Sequence, residues 1–222
     1  RCEVTNPVYT TSFKGIGTLT AREIRRCLGV DRDGIETGTV RDYDINQFSC
    51  EQIESVGELR TTEDIFFSLG TTDLTGHRAD AQRVSDTVEK SAIEQAITCK
   101  RGLTPKGKPG HPTYRVIVQA DDAPWRSYRR ERLEEAVAQS ISLRYKKWHR
   151  VEDDSQIEVW VHLLDQTALI GLRLTDRTMR HRDYKVANLP GSLRPTIAAA
   201  AVQLSKPTDT DIFLDPTCGA GT

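Results

Sequence analysis

The residues of this chain best suited to chemistry are its last eight, Asp215-Pro216-Thr217-Cys218-Gly219-Ala220-Gly221-Thr222. They follow Asp211-Ile212-Phe213-Leu214, an apolar run that reads as a buried strand ending on a carboxylate. Open α/β sheets bind their ligands beyond the carboxyl ends of such strands, and a glycine-rich turn there would open a helix. Gly219 and Gly221 carry no Cβ, so a ligand can lie close against the backbone. The Asp215 carboxylate can hold a cationic or hydroxyl-bearing group, or orient the turn beneath it. Asp-Pro-x-Cys-Gly-x-Gly-Thr is far more restrictive than a lone Gly-x-Gly. Cys218 could serve as a nucleophile, but a small, weakly polar side chain inside such a turn is expected to pack beneath the loop.

Cations form the second candidate set. The formal charge is −1, yet residues 100–150 carry 13 Lys and Arg against 5 Asp and Glu, and residues 173–194 carry 6 against 2. Residues 1–99 run the other way, 11 against 17, and residues 151–172 hold 5 carboxylates and no cation. Two basic zones around an acidic one, on a neutral chain, suit a polyanion held at one place. Arg126, Arg129, Arg130, Lys146, Lys147, Arg150, Arg177, Arg180 and Arg182 are the candidates for phosphate contact. Either zone alone would also suit the solvated face of a helix.

Other patterns carry less. Gly15-Ile16-Gly17 lies between a strand and a helix but lacks the third glycine of a dinucleotide loop, so a structural turn is expected. Gly107-Lys108 lacks the leading glycine and following hydroxyl of a P-loop. Three glycines and three prolines make residues 101–112 a flexible basic loop. Cys2, Cys27, Cys50, Cys99 and Cys218 show no ligand spacing, nor do the five histidines. No structural metal or disulfide framework is expected, and a reducing, cytoplasmic compartment fits. No apolar run approaches the ~18 residues that cross a bilayer.

The elements that must position these residues follow from periodicity. Strands are expected at Val8–Ser12 with Phe13, at Tyr43–Cys50, at Ile65–Leu69, at Tyr114–Ala120, and as a hairpin from Gln156–Leu164 and Ala168–Leu174. Thr20 and Glu23 form a capping box for a helix carrying Ile24, Cys27 and Leu28. One helix is expected over Val84–Lys100, another over Ser127–Trp148 with Leu133, Val137 and Ile141 buried. Pro195 opens a last helix over Thr196–Leu204. The pattern is helices against a small sheet.

The ending Asp215–Thr222 resembles the first S-adenosylmethionine-binding motif of class I RNA and DNA methyltransferases. That resemblance implies cofactor contacts at Asp215, Pro216, Cys218, Gly219 and Gly221. Leu189-Pro190-Gly191-Ser192-Leu193-Arg194-Pro195 and the helix after it resemble the segment leading into the catalytic fold of THUMP-containing methyltransferases. Tyr114–Leu174 is similar to a THUMP domain, and Phe13-Lys14-Gly15-Ile16-Gly17 with its helix to the ferredoxin-like domain that accompanies it.

The fold class implied is α+β: a ferredoxin-like domain over 1–60, a THUMP RNA-binding domain over 61–176, a basic linker over 177–194, and the start of a Rossmann-like class I methyltransferase domain over 195–222. The function implied is S-adenosylmethionine-dependent methylation of guanine N2 in RNA, most simply tRNA. A ribosomal RNA enzyme and a non-catalytic RNA-binding module stay open; a DNA enzyme is disfavoured because the upstream modules resemble RNA binders. Family enzymes continue for roughly a domain beyond this motif. No catalytic residue is therefore assigned here, the catalytic motif being expected beyond Thr222 in a longer gene product.

Overall fold

The computed structural model describes residues 5–104, 111–121, 123–176, 179, 182, 184–187 and 189–222. In chain order its elements are β1 (Asn6–Phe13), α1 (Gly17–Leu28), β2 (Glu36–Val40), β3 (Tyr43–Cys50), α2 (Ile53–Val56), β4 (Asp64–Asp73), α3 (Asp80–Glu89), α4 (Ile93–Leu103), β5 (Thr113–Gln119), α5 (Arg130–Arg144), β6 (His149–Arg150), β7 (Ile157–Leu164), β8 (Thr167–Arg173) and α6 (Pro195–Ser205). The eight strands form one sheet in the order β2-β3-β1-β4-β8-β7-β5-β6. Neighbours are antiparallel except where β5 pairs with β6 and β7. β4 joins β1 to β8, so strands from both halves of the chain share this sheet.

Alternation along the strands builds two cores. Val8, Phe67, Ile170 and Val161 face the helices, packing with Ile24, Val84, Ile93, Leu133, Val137 and Ile141. Their neighbours Tyr9, Phe66 and Leu169 face the other way, with Val40, Ile45, Trp160 and Leu164. Among the described residues, no helix residue belongs to this second core. The sheet closes it by curling on its right-handed twist: Gly38 of β2 comes against Leu164 of β7, where a Cβ would sit 3.4 Å from the leucine methyls.

Several elements differ from the sequence expectation, each for a local reason. Thr20 and Glu23 form no capping box, because α1 begins at Gly17. Thr20 instead donates to the Ile16 carbonyl at 3.3 Å. Glu23 is buried and accepts from the Arg60 and Thr61 amides, both at 3.0 Å, and from the Thr61 hydroxyl at 2.6 Å. The pair ties α1 to the loop before β4. The helix expected over 84–100 is two helices, because the Ser91 hydroxyl takes the Val88 carbonyl at 2.6 Å and ends α3. α5 is shorter than expected at both ends.

The strand expected at 211–215 does not form. Ile212 is 97% exposed and Leu214 79%, and no strand pairs with them. Such an apolar strand needs a neighbour on each edge and cover on each face, and the described residues provide neither. Of the loop expected at 101–112, α4 takes residues 101–103, and 105–110 lie outside the described residues.

Candidate functional site

The glycine-rich turn after Asp215 is shaped by its own backbone. The Thr217 amide donates to Asp215 Oδ1 at 2.9 Å, and the Gly221 amide to the Cys218 carbonyl at 2.8 Å. Gly219 and Gly221 take φ of +56° and +69°, the left-handed region that favours glycine. A Cβ on Gly221 would meet nothing within 4 Å, so this face of the turn is open to a ligand. Asp215, Pro216, Cys218, Gly219 and Gly221 are all exposed. Cys218 is exposed and does not pack beneath the loop, since no sheet lies under the turn among the described residues.

Helix α6 delivers this turn, and it is docked at its N-terminus. Pro195 occupies the first turn, where its missing N–H costs no hydrogen bond. The Thr196 hydroxyl donates to buried Glu63 Oε1, whose other oxygen lies 3.9 Å from the Arg194 guanidinium. Arg194 also sits 5.7 Å over the Phe13 ring. These contacts set α6 beside α1, leaving a cleft of about 820 Å³ between them. Arg22, Arg26, Arg60, Tyr184 and Lys206 line it, and Thr222 brings the end of the glycine-rich turn to its wall.

The candidate phosphate-binding cations fall into separate groups. Arg126, Arg129 and Arg130 stand at the N-terminal end of α5, and Lys146, Lys147 and Arg150 follow its C-terminal end. Its 15 residues separate the groups by about 22 Å. Some of their charge is already engaged. Arg150 pairs with Glu134 at 3.1 Å and Glu135 at 2.6 Å, and Arg130 with Glu131 at 3.3 Å. Arg126 lies 5.9 Å from the Tyr128 ring. Lys146 and Lys147 are exposed, beside the stacked rings of Tyr145 and Trp148, whose centroids are 4.1 Å apart. Arg182 is half-buried and donates to the Leu59 carbonyl, burial holding its pKa below the usual arginine range. Arg177 and Arg180 lie outside the described residues.

Gly15-Ile16-Gly17 shows what its turn is for. The amides of Gly15 and Gly17 both donate to Asp44 Oδ2, at 2.9 and 3.0 Å. A carboxylate of the protein thus fills the position an anionic ligand would take. Among the described residues no group of His, Cys, Asp and Glu could hold a metal ion, and no helix is long and apolar enough to cross a membrane.

Sequence reasoning missed the cleft between α1 and α6. Arg22 and Arg26 are one helical turn apart, but they sit in the part of the chain whose net charge is negative. Only the tertiary fold adds Arg60, Tyr184 and Lys206 to them.

Comparison with known proteins bears directly on the C-terminal turn and the helix before it. Residues 182–222 match the RMKL-like methyltransferase domain. Over 71 residues the chain is 37% identical to a tRNA (guanine(6)-N2)-methyltransferase of Methanocaldococcus jannaschii, covering 32% of this chain and 19% of that protein. Over 77 residues it is 32% identical to the tRNA (guanine(6)-N(2))-methyltransferase THUMP3 of Bos taurus, covering 35% of this chain and 15% of that protein. The fold is shared with the crystal structure of SMU.472, described as a putative methyltransferase complexed with SAH. The TM-score is 0.62 at 16% identity, over 98% of this chain and 53% of that one. The chain spans about half the length of that structure, and its aligned segments under a fifth of either curated relative.

Proposed function

We propose that this chain is the RNA-docking part of an S-adenosylmethionine-dependent methyltransferase that modifies guanine N2 in tRNA. In this reading a ferredoxin-like domain spans 1–60, a THUMP domain 61–176, a basic linker 177–194 and the start of a class I methyltransferase domain 195–222. The protein acts in the cytoplasm. The match of residues 182–222 to a methyltransferase domain carries the reading, because it ends on the turn whose residue types suit that chemistry. Two tRNA guanine-N2 methyltransferases among the relatives support the substrate, and the SAH in a protein of the same fold supports the cofactor.

The turn has features that fit such a cofactor along one wall. Its left-handed glycines leave the backbone uncovered, and Asp215 offers a carboxylate at its base. Asp215, Pro216, Cys218, Gly219 and Gly221 would hold the cofactor there. When bound, S-adenosylmethionine supplies a methyl group on a sulfonium, open to displacement by a nucleophilic amine. The chain's own part is to bind and orient. Arg126, Arg129, Arg130, Lys146, Lys147, Arg150, Arg177, Arg180 and Arg182 take RNA phosphates, and α6 fixes the turn relative to them.

Two titrations test this. Phosphate-dominated binding of tRNA should weaken with salt at a log–log slope near −0.7 to −0.9 per phosphate neutralised. Replacing Lys146 and Lys147 together should flatten that slope by about 1.5. A flat response in the unaltered chain would sink the RNA reading. Calorimetry with S-adenosylmethionine should show no measurable binding to residues 1–222, because one wall is not a pocket. Tight, saturable binding would mean that the pocket is completed in some other way.

A further inference from the structure

We infer that the cleft between α1 and α6 is a second RNA contact, which takes a single-stranded segment with its phosphates on Arg22, Arg26, Arg60 and Lys206 and a base against Tyr184. The inference rests on the RNA reading above but uses none of the cations that reading names. Arg22 and Arg26 are four residues apart on α1, so they project from one face about 6 Å apart. Lys206, in the left-handed conformation that caps α6, faces them from the other wall. Arg60 comes from the loop before β4. Among the described residues no ion pair engages any of the four.

Among the described residues the one acidic side chain lining the cleft, Glu23, is committed elsewhere. Its two oxygens accept from the Arg60 and Thr61 amides and the Thr61 hydroxyl. The cleft therefore concentrates positive charge between low-dielectric walls, the arrangement that focuses an electrostatic field on an anion. Charge alone would suit any polyanion. Tyr184 favours a nucleic acid, because it is 50% exposed, lines the cleft and carries a ring on which a base can stack. Stacking needs unpaired bases, which a single strand offers and a helical stem does not. Thr222 lies on the same wall, so a strand in the cleft runs up to the glycine-rich turn.

The test measures the salt dependence of affinity for a 12-nucleotide uridine oligonucleotide and for a folded tRNA. Arg22→Ala with Arg26→Ala should reduce the oligonucleotide slope by about 1.4, and Arg22→Lys with Arg26→Lys should retain it. Tyr184→Ala should weaken the oligonucleotide by about tenfold, and Tyr184→Phe should restore binding. These side chains are exposed, and circular dichroism of each variant verifies the fold. If Lys146 and Lys147 variants lose tRNA while the Arg22 and Arg26 variants bind both probes unchanged, the cleft is refuted and the RNA reading stands. If the unaltered chain binds neither probe at low salt, both fall. Equal weakening by Tyr184→Ala and Tyr184→Phe would overturn the stacking, and an acidic peptide competing as well as RNA would overturn the assignment to nucleic acid.

Discussion

The Tyr9 hydroxyl and His162 Nδ1 lie 3.0 Å apart in the second core, built by strand residues. Phe66 stacks on Tyr9 at 4.7 Å between centroids, and Trp160 stacks on His162 at 5.6 Å. Burial, with no charged group opposing it among the described residues, pushes the imidazole pKa down from 6.5 to about 3. The unfolded chain takes up a proton near pH 6.5 that the folded chain refuses until far lower. Stability is therefore full above pH 6.5 and falls by about 1.4 kcal/mol for each unit below it, down to the folded value. Urea unfolding at pH 7 and pH 5 should differ accordingly. His162→Gln, which cannot titrate, should remove this part of the difference; an unchanged pH dependence would refute the assignment.

The same tyrosine dictates a glycine across the sheet. A Cβ on Gly171 would stand 2.3 Å from the Tyr9 hydroxyl and 2.5 Å from its ring. Both Tyr9 and the paired strands β7 and β8 are held on all sides, so the clash cannot relax cheaply. Gly171→Ala should cost about 2–3 kcal/mol of unfolding free energy, read from the denaturant midpoint. Combining it with Tyr9→Phe should recover only part, because the ring carbon clashes as well as the hydroxyl.

Most of this framework was legible wherever a residue's surroundings repeat along the chain. β5 and most of β7 alternate in burial, β1, β3 and β8 carry β-branched, aromatic or apolar runs, and Pro195 marks the start of α6. β2 was not read, because Glu36-Thr37-Gly38-Thr39 offers no apolar alternation; its place comes from β3 beside it and Leu164 facing Gly38. Ile212-Phe213-Leu214 had the composition of a buried strand, but composition cannot supply the neighbours that bury one. Of the site, the glycine-rich turn is written in contiguous residues, whereas the cleft is assembled from positions far apart in sequence. Glu23 shows the same limit. Its spacing from Thr20 suggested a helix cap, yet its partners, Arg60 and Thr61, are distant in the chain.

The hold on α6 should be separable from the fold as a whole. Glu63 is 1% exposed and receives the Thr196 hydroxyl at the N-terminal turn of α6, where a carboxylate also complements the helix dipole. Thr196→Val keeps the shape and removes the donor, a loss of about 1–3 kcal/mol for a buried acceptor. Amides within α6 should then exchange with deuterium at least about tenfold faster, while those of α3 and α5 keep their protection. Uniform acceleration throughout the chain would show that the contact supports global stability instead of docking one helix.

The cysteines give a last test, one that reads burial and the exposed turn together. Cys27 and Cys218 are exposed, whereas Cys50 and Cys99 are buried. Burial first, then the neighbouring Cys99 and Glu54, pushes the Cys50 thiol up to about 12; burial and Glu54 raise Cys99 as well. Thiolates are the reacting species, so the buried pair is slow on two counts, access and ionisation. Iodoacetamide at pH 8, followed by peptide mapping, should label Cys27 and Cys218 early and Cys50 and Cys99 only after denaturant is added. Cys218→Ser should remove one early site and leave RNA affinity unchanged, since the thiol faces solvent and supports no packed side chain. Protection of Cys218 in the unaltered chain would mean that the glycine-rich turn is covered in solution. A Cys218→Ser variant that lost RNA binding would give the thiol a role the exposed turn does not predict.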